Sequence, residues 1–245
     1  MENLYRELYN LLKQRPQRCS TEGKDELAVF APITGKYYVD HDDVRLMWVG
    51  RAVNDWTKVD LAEDEDAFVT KVFDGINRED RYRFLREPCS ARRPCQYYLT
   101  SEFWSTSKLV CEKLMPSMTM DEVWTEHLVW ANLYAAAPCG GGNPSVSLRQ
   151  VQRCVCQRML IKQIEISKPT HIVFVTGWDG WFSDFSDLFE RVQRIPEADH
   201  LQSPLDGHGY FGDSVVVVTK RPDKRNRCFT RETFAEAVCE ALLSQ

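Results

Sequence analysis

The chain is predicted to fold as an α/β protein, a three-layer αβα sandwich built on a four-stranded parallel sheet. Three observations carry the expectation. Four apolar runs read as strands: Val44–Val49, His127–Ala131, His171–Thr176 and Val215–Thr219. The last two are near-continuous β-branched and aromatic stretches, as expected of strands covered on both faces. Helical patterns lie between the runs, and such alternation implies right-handed crossovers and parallel pairing.

Taken in order, residues 2–15 form an amphipathic surface helix. Leu4, Leu8, Leu11 and Leu12 follow helical spacing, and Pro16 ends it. The first strand follows and ends at Gly50. Residues 57–126 are long for one crossover and read as an elaborated one. Within them Asp60–Phe73 is helical, with the acidic run Glu63–Asp66 at a solvated helix start, where negative charge suits the dipole. Arg78–Arg93 is rich in arginine and broken by Pro88. Ser101–Leu114 is a helix with Phe103, Trp104, Leu109, Val110 and Leu114 inward. The second strand ends at Asn132 and opens a loop holding Gly140, Gly141 and Gly142. Leu148–Ser167 is a long helix closed by Lys168-Pro169. The third strand ends at Gly177, and Trp181–Val192 is a shorter helix. The fourth strand leads into a basic turn. Thr230 then caps a last helix that runs to Leu243. No internal repeat interrupts this order, so residues 1–245 read as a single domain.

The 245 residues are 43% hydrophobic and 27% charged, an ordinary globular composition. No apolar run reaches the roughly 18 residues of a membrane span, and the N-terminus lacks the features of a signal peptide. Nine cysteines without a CxxC pair suit reduced thiols in a cytoplasmic protein. No His/Cys/Asp set has zinc spacing, so neither metal nor cofactor is expected, and a monomer is the simplest state. The net charge of −5 argues against indiscriminate polyanion binding. It leaves room for a local basic groove, because screening confines charge effects to roughly 8–10 Å.

In open parallel sheets, ligands bind beyond the carboxyl ends of the strands. Those ends carry Gly50–Trp56, Asn132–Asn143, Gly177–Trp181 and Lys220–Arg225. The basic turn, with Lys220, Arg221, Lys224, Arg225 and Arg227 around Asp223, reads as one wall of a ligand cleft. Plainer readings stand beside these. Gly50 and Gly177 also serve simply to end strands. The three glycines form a flexible loop, since no GKS or GKT follows. Trp178 and Trp181 suit rim packing, and the basic turn suits solvent. His208 lies in the loop before the fourth strand, within reach of the rim.

The order of these motifs resembles the uracil-DNA glycosylase superfamily. A strand with Gly-x-Ala comes first. Then come a strand, Asn, Pro, a Gly-rich loop, a long helix, Lys-Pro, a strand and Gly, and finally a strand, x-Pro-x, a basic turn and a helix. The similarity covers most of Val44–Leu243 and is most specific over Val129–Gly177. It implies a nucleic-acid or nucleotide partner, DNA foremost, and base excision as the activity. Asn132 matches the Asn that reads the edge of a flipped base, a task suited to an amide with adjacent donor and acceptor. Gly50–Asn54, including Arg51 and Ala52, matches the first-motif loop that positions water against the sugar. Arg221-Pro222-Asp223 takes the place of His-Pro-Ser, which clamps the minor groove.

The departures from the family pattern are chemical. Arg51 stands where Gly-Glu-Ala-Pro-Gly has its acid, and a cation there opposes positive charge developing on the sugar. Val53 replaces the motif's proline, and the nearest acid, Asp55, is displaced along the loop. Arg221 replaces the His. Cys154 falls where an iron–sulfur branch has one ligand, but Ala136 occupies another ligand position, so no cluster is expected. Two functional classes follow. As an enzyme, Asp55 or Asp223 activates water beside Asn54. Asn132 then holds the base against Trp56, Tyr134 or Trp178, and Arg51, Arg221 and Arg225 take phosphates. As a binding module without the acid, Arg51, Arg221, Lys224 and Arg225 contact phosphates and the tryptophans stack on bases. A protein-interaction role on the same fold is the third alternative.

Overall fold

The computed structural model describes residues 1–15, 27–40, 43–52, 56–76, 88–90, 93–96, 101–116, 124–140, 142–196, 203–222 and 229–244. The fold is mixed α/β. Its contacts divide the chain into two compact units, one of Met1–Ile33, Gly50–Arg81 and Ala131–Ile166, the other of Thr34–Val49, Tyr82–Trp130 and Ser167–Gln245.

The larger unit is organised on a seven-stranded sheet. Its strands are β2 (Ile33–Thr34), β3 (Leu46–Ala52), β7 (Leu128–Tyr134), β9 (His171–Phe174), β10 (Arg191–Arg194), β11 (Leu205–Phe211) and β12 (Ser214–Thr219), in the order β10-β11-β12-β9-β3-β7-β2. The expected four-stranded parallel sheet is therefore corrected. The four predicted strands are the central neighbours β12, β9, β3 and β7. β12 and β3 flank β9 in parallel, while β10 and β11 add an antiparallel edge. That edge hides in the sequence because Leu205-Asp-Gly-His-Gly-Tyr-Phe211 holds two glycines. Both are required by close packing. A Cβ on Gly207 would lie 2.5 Å from the Trp178 ring, and one on Gly209 would lie 2.0 Å from the Arg191 carbonyl.

Both faces of the central strands are buried. Leu46–Val49, Ile172–Phe174 and Val216–Val218 are fully covered. On one face Phe174 meets Phe182 and Phe189 at 5.0 and 5.1 Å, and Phe189 meets Phe211. Phe182 opens the first of two 3-10 turns, Phe182–Asp184 and Ser186–Leu188, and Phe189 follows the second, ahead of β10. The helix expected over Trp181–Val192 is corrected accordingly. Phenylalanines at 182, 185 and 189 satisfy a helical period and equally a pair of three-residue turns.

Trp48 meets Phe103 of the next helix, α3 (Glu102–Leu114), at 6.1 Å. Ser101, expected as the first residue of this helix, instead caps it. Trp104 then stacks edge-on with Trp130 and Trp124 at 4.7 and 6.0 Å. α3 packs on the last helix, α5 (Arg231–Leu243), whose cap Thr230 accepts from the Thr233 N–H. Pro88–Ser90 (β5) and Arg93–Gln96 (β6) form a two-stranded antiparallel ribbon.

The smaller unit holds a three-stranded antiparallel sheet of β1 (Leu27–Val29), β4 (Thr57–Val59) and β8 (Ala136–Pro138), ordered β4-β1-β8. Its helices are α1 (Glu2–Gln14), α2 (Glu65–Ile76) and α4 (Val146–Ser167). α1 buries Tyr5, Leu8, Tyr9 and Leu12, the stripe expected of an amphipathic helix. It packs on α2 through Tyr5–Phe73 and Tyr9–Phe68, each at 5.3 Å, with Arg6 paired to Glu65. α2 starts later than the sequence suggests, because residues 57–59 are drawn into β4 and Asp64 caps the helix through the Ala67 N–H. Among the described residues, no helix is long and apolar enough to cross a membrane.

Candidate functional site

Sheet register sets the geometry of the carboxyl edge in the larger unit. Val49, Phe174 and Val218 lie side by side in one row. The Val175 N–H donates to the Val49 carbonyl, and the Gly177 N–H to the Thr219 carbonyl, each at 2.8 Å. The chain thus leaves β9 and β12 at one edge, while β3 runs on to Ala52.

Beyond β9, Trp178 is half-buried. Its ring lies 4.9 Å from Phe182, rests on Gly207, and has the Arg194 guanidinium 5.9 Å away. The Trp178 N–H donates to the buried Asp206 carboxylate at 2.9 Å. Arg194 is itself held by both oxygens of Asp179, at 3.0 and 2.6 Å.

Beyond β12, Lys220 donates to the Ser203 carbonyl at 2.8 Å and lies 5.3 Å from the Phe229 ring. Arg221 is exposed. Arg221 and Pro222 share a cavity of about 340 Å³, counting its open mouth, whose walls also include Lys220, Glu102 and Arg231. Arg231 donates through Nε and Nη2 to the two oxygens of Glu102, each at 2.8 Å. This pairing raises the Arg231 pKa above its ordinary value, so the guanidinium stays charged. Glu102 is only 18% exposed. Its two oxygens accept from a cation, which leaves it ill placed to receive a proton from water. Sequence reasoning missed this pair. The residues are 129 apart, and each reads locally as an ordinary first-turn helix residue.

In the smaller unit, Gly50, Arg51 and Ala52 prolong β3 instead of opening a loop. Trp56 packs edge-on against Phe30 at 5.7 Å. Asn132 was expected just past a strand ending at Ala131, but β7 runs on to Tyr134, because Leu133 and Tyr134 are buried and continue the apolar pattern. Asn132 lines a recess of about 280 Å³, mouth included, together with Tyr5, Phe30, Cys156 and Met159. Its Nδ2 is buried and has no hydrogen-bond partner among the described residues, a costly state for an amide donor. Tyr134 is fully buried, with the Arg149 guanidinium 5.9 Å from its ring centre.

The next strand, β8, is held by α4. Gln152, wholly buried, accepts from the Ala136 N–H and donates to the Ala136 carbonyl, each at 2.8 Å. One turn on, burial pushes the Cys156 thiol up to about 12. The free cysteines among the described residues are Cys111, Cys139, Cys154, Cys156 and Cys239. No group of three or more His, Cys, Asp or Glu side chains among those residues could hold a metal ion.

The predicted residues thus fall into separate neighbourhoods. Arg221 and Pro222 share a cavity, Trp178 stands with Asp206 and Arg194, and Asn132 stands in the recess without Trp56 or Tyr134 in its wall. Asn54 and Asp55 in the first loop, and Asp223, Lys224 and Arg225 in the basic turn, lie outside the described residues. No family model matches the chain, and no curated protein matches it.

Proposed function

We propose that the chain is a divergent protein of the uracil-DNA glycosylase type that holds nucleic acid, DNA foremost, beyond the carboxyl edge of its sheet. The observation carrying the reading is the paired exit of β9 and β12, where the Gly177 N–H donates to the Thr219 carbonyl and sets the Gly177 and Lys220 turns on one edge. The same edge supplies charge and aromatic surface: exposed Arg221, Lys220 and the half-buried Trp178. Cations of this kind take phosphate oxygens, and an indole offers a stacking face.

Binding is the better supported half of the proposal. Excision needs a group that orients water or stabilises the sugar cation. Near the described edge, Glu102 is engaged by Arg231, Asp206 by the Trp178 N–H, and Asp179 by Arg194. Catalysis therefore falls to a residue outside the described ones, Asn54, Asp55 or Asp223.

The test is a panel of single- and double-stranded oligonucleotides carrying uracil, hypoxanthine, xanthine or normal bases, scored at low salt for retention and for abasic sites. Retention is expected throughout. Abasic sites that vanish in Asp55→Asn or Asp223→Asn would add the enzymatic half. No retention of any oligonucleotide would remove the whole reading.

A further inference from the structure

The Glu102–Arg231 pair gives the cavity beyond β12 a chemical preference of its own. Among the described residues, Lys220, Arg221 and Arg231 line it against the one carboxylate of Glu102, a net of two positive charges. A phosphodiester inside a strand carries one negative charge. A terminal phosphomonoester carries about −1.5 to −2 at neutral pH. The charge balance therefore fits a chain end better than a chain interior.

Shape and rigidity agree. The walls come from α3, from the exit of β12 and from the start of α5, with Pro222, Phe229 and Phe234 as apolar parts. Apolar walls lower the local dielectric and strengthen each charge contact. The cavity is open to solvent, so a phosphate seated at the cations leaves the rest of a nucleotide outside. The Thr106 hydroxyl donates to the Glu102 carbonyl at 2.6 Å, and the Thr230 hydroxyl accepts from the Thr233 N–H at 3.2 Å. With both hydroxyls engaged by backbone, recognition falls to the cations. Arg231 is 32% exposed and fixed in a two-point fork by Glu102, so ordering it on binding costs little side-chain entropy. Arg221 is exposed and can close over the ligand.

We infer that this cavity is a site for a terminal phosphate of a nucleic-acid strand or a mononucleotide, with Arg231 the fixed cation, Arg221 the mobile one and Glu102 the positioning residue. The strand-end form of the inference rests on the nucleic-acid reading above; the mononucleotide form does not.

The experiment uses the full chain and a fluorescent single-stranded 12-mer made with either a 5′-phosphate or a 5′-hydroxyl. Further arms use a nucleoside 5′-monophosphate, its nucleoside and inorganic phosphate. The phosphorylated strand should bind about five- to twentyfold tighter, the ratio expected of one further charge-assisted contact. The preference should fall to near unity in Arg221→Ala and in the paired Glu102→Gln/Arg231→Gln variant, which leaves no buried charge. Arg221 is exposed, so its variant stands if the paired one fails to fold. Equal binding of both strands, with no preference for the monophosphate over its nucleoside, overturns the inference and leaves the nucleic-acid reading intact. No strand binding, but capture of the monophosphate, overturns the nucleic-acid reading and supports the pocket. Capture of inorganic phosphate as tightly as the monophosphate shows an adventitious ion only and overturns the inference.

Discussion

Replacing Gln152 by leucine removes both hydrogen bonds that anchor Ala136 to α4. Gln152 is fully buried, as is Ala136, so water cannot take over. The change strands one N–H and one C=O, each costing about 1–3 kcal/mol when buried without a partner. Leucine restores apolar volume and offsets part of this, leaving a net loss of about 3 kcal/mol. For a chain of this size each kcal/mol lowers the melting temperature by roughly 2–4 °C, so the midpoint should drop by about 6–12 °C. Urea unfolding followed by circular dichroism measures the loss directly. Gln152→Glu sharpens the test. An ionised carboxylate can still accept from the Ala136 N–H but faces the Ala136 carbonyl without a donor. A protonated one recovers both bonds, so this variant should lose less stability, relative to the parent, at pH 4 than at pH 7. A Gln152→Leu protein within about 0.5 kcal/mol of the parent would refute the reasoning, because two orphaned buried groups cannot cost so little.

Two further expectations concern packing and titration. Gly207→Ala should cost about 1–3 kcal/mol by overpacking, since its Cβ meets the Trp178 ring at 2.5 Å and the Gln193 carbonyl at 2.8 Å. The loss, read from urea midpoints, should shrink when Trp178 is first cut to alanine, and an unchanged loss would show that the ring is not what the methyl strikes. Burial raises the Cys156 thiol from about 9 to about 12. Between those values the unfolded chain has released a proton that the folded chain keeps, so stability falls as pH rises, by about 1.4 kcal/mol per pH unit from this group. Cys111 and Cys239 are shifted in the same direction by burial, so only part of the alkaline slope should disappear in Cys156→Ala. Parallel stability profiles from pH 8.5 to 10.5 for parent and variant would contradict this assignment.

The centre of the fold was legible because its strands are apolar runs without interruption. Leu46–Val49, Ile172–Phe174 and Val216–Val218 are covered on both faces, and Leu128–Ala131 of β7 is buried likewise. The antiparallel edge was not legible, because Gly207 and Gly209 are set by what lies against them, Trp178 and the Arg191 backbone, and nothing local signals that demand. The cap Thr230 was readable from its own residue, whereas the Glu102–Arg231 pair depends on two helices meeting and has no local signature. Asn132 was found as a residue but misplaced as a strand end, since β7 continues through Tyr134. Its neighbours in the recess, Tyr5 and Cys156, are distant in sequence and were not linked to it.

The claim on which the account depends is that the edge beyond β12 meets nucleic-acid phosphates. The most direct measurement is the affinity of the parent and of Arg221→Ala for one oligonucleotide across a series of salt concentrations. The account predicts salt-sensitive binding, with the log–log slope smaller by roughly 0.7–0.9 in Arg221→Ala, the signature of one lost phosphate contact. Identical slopes in the two proteins, or no binding even at the lowest salt, would contradict it.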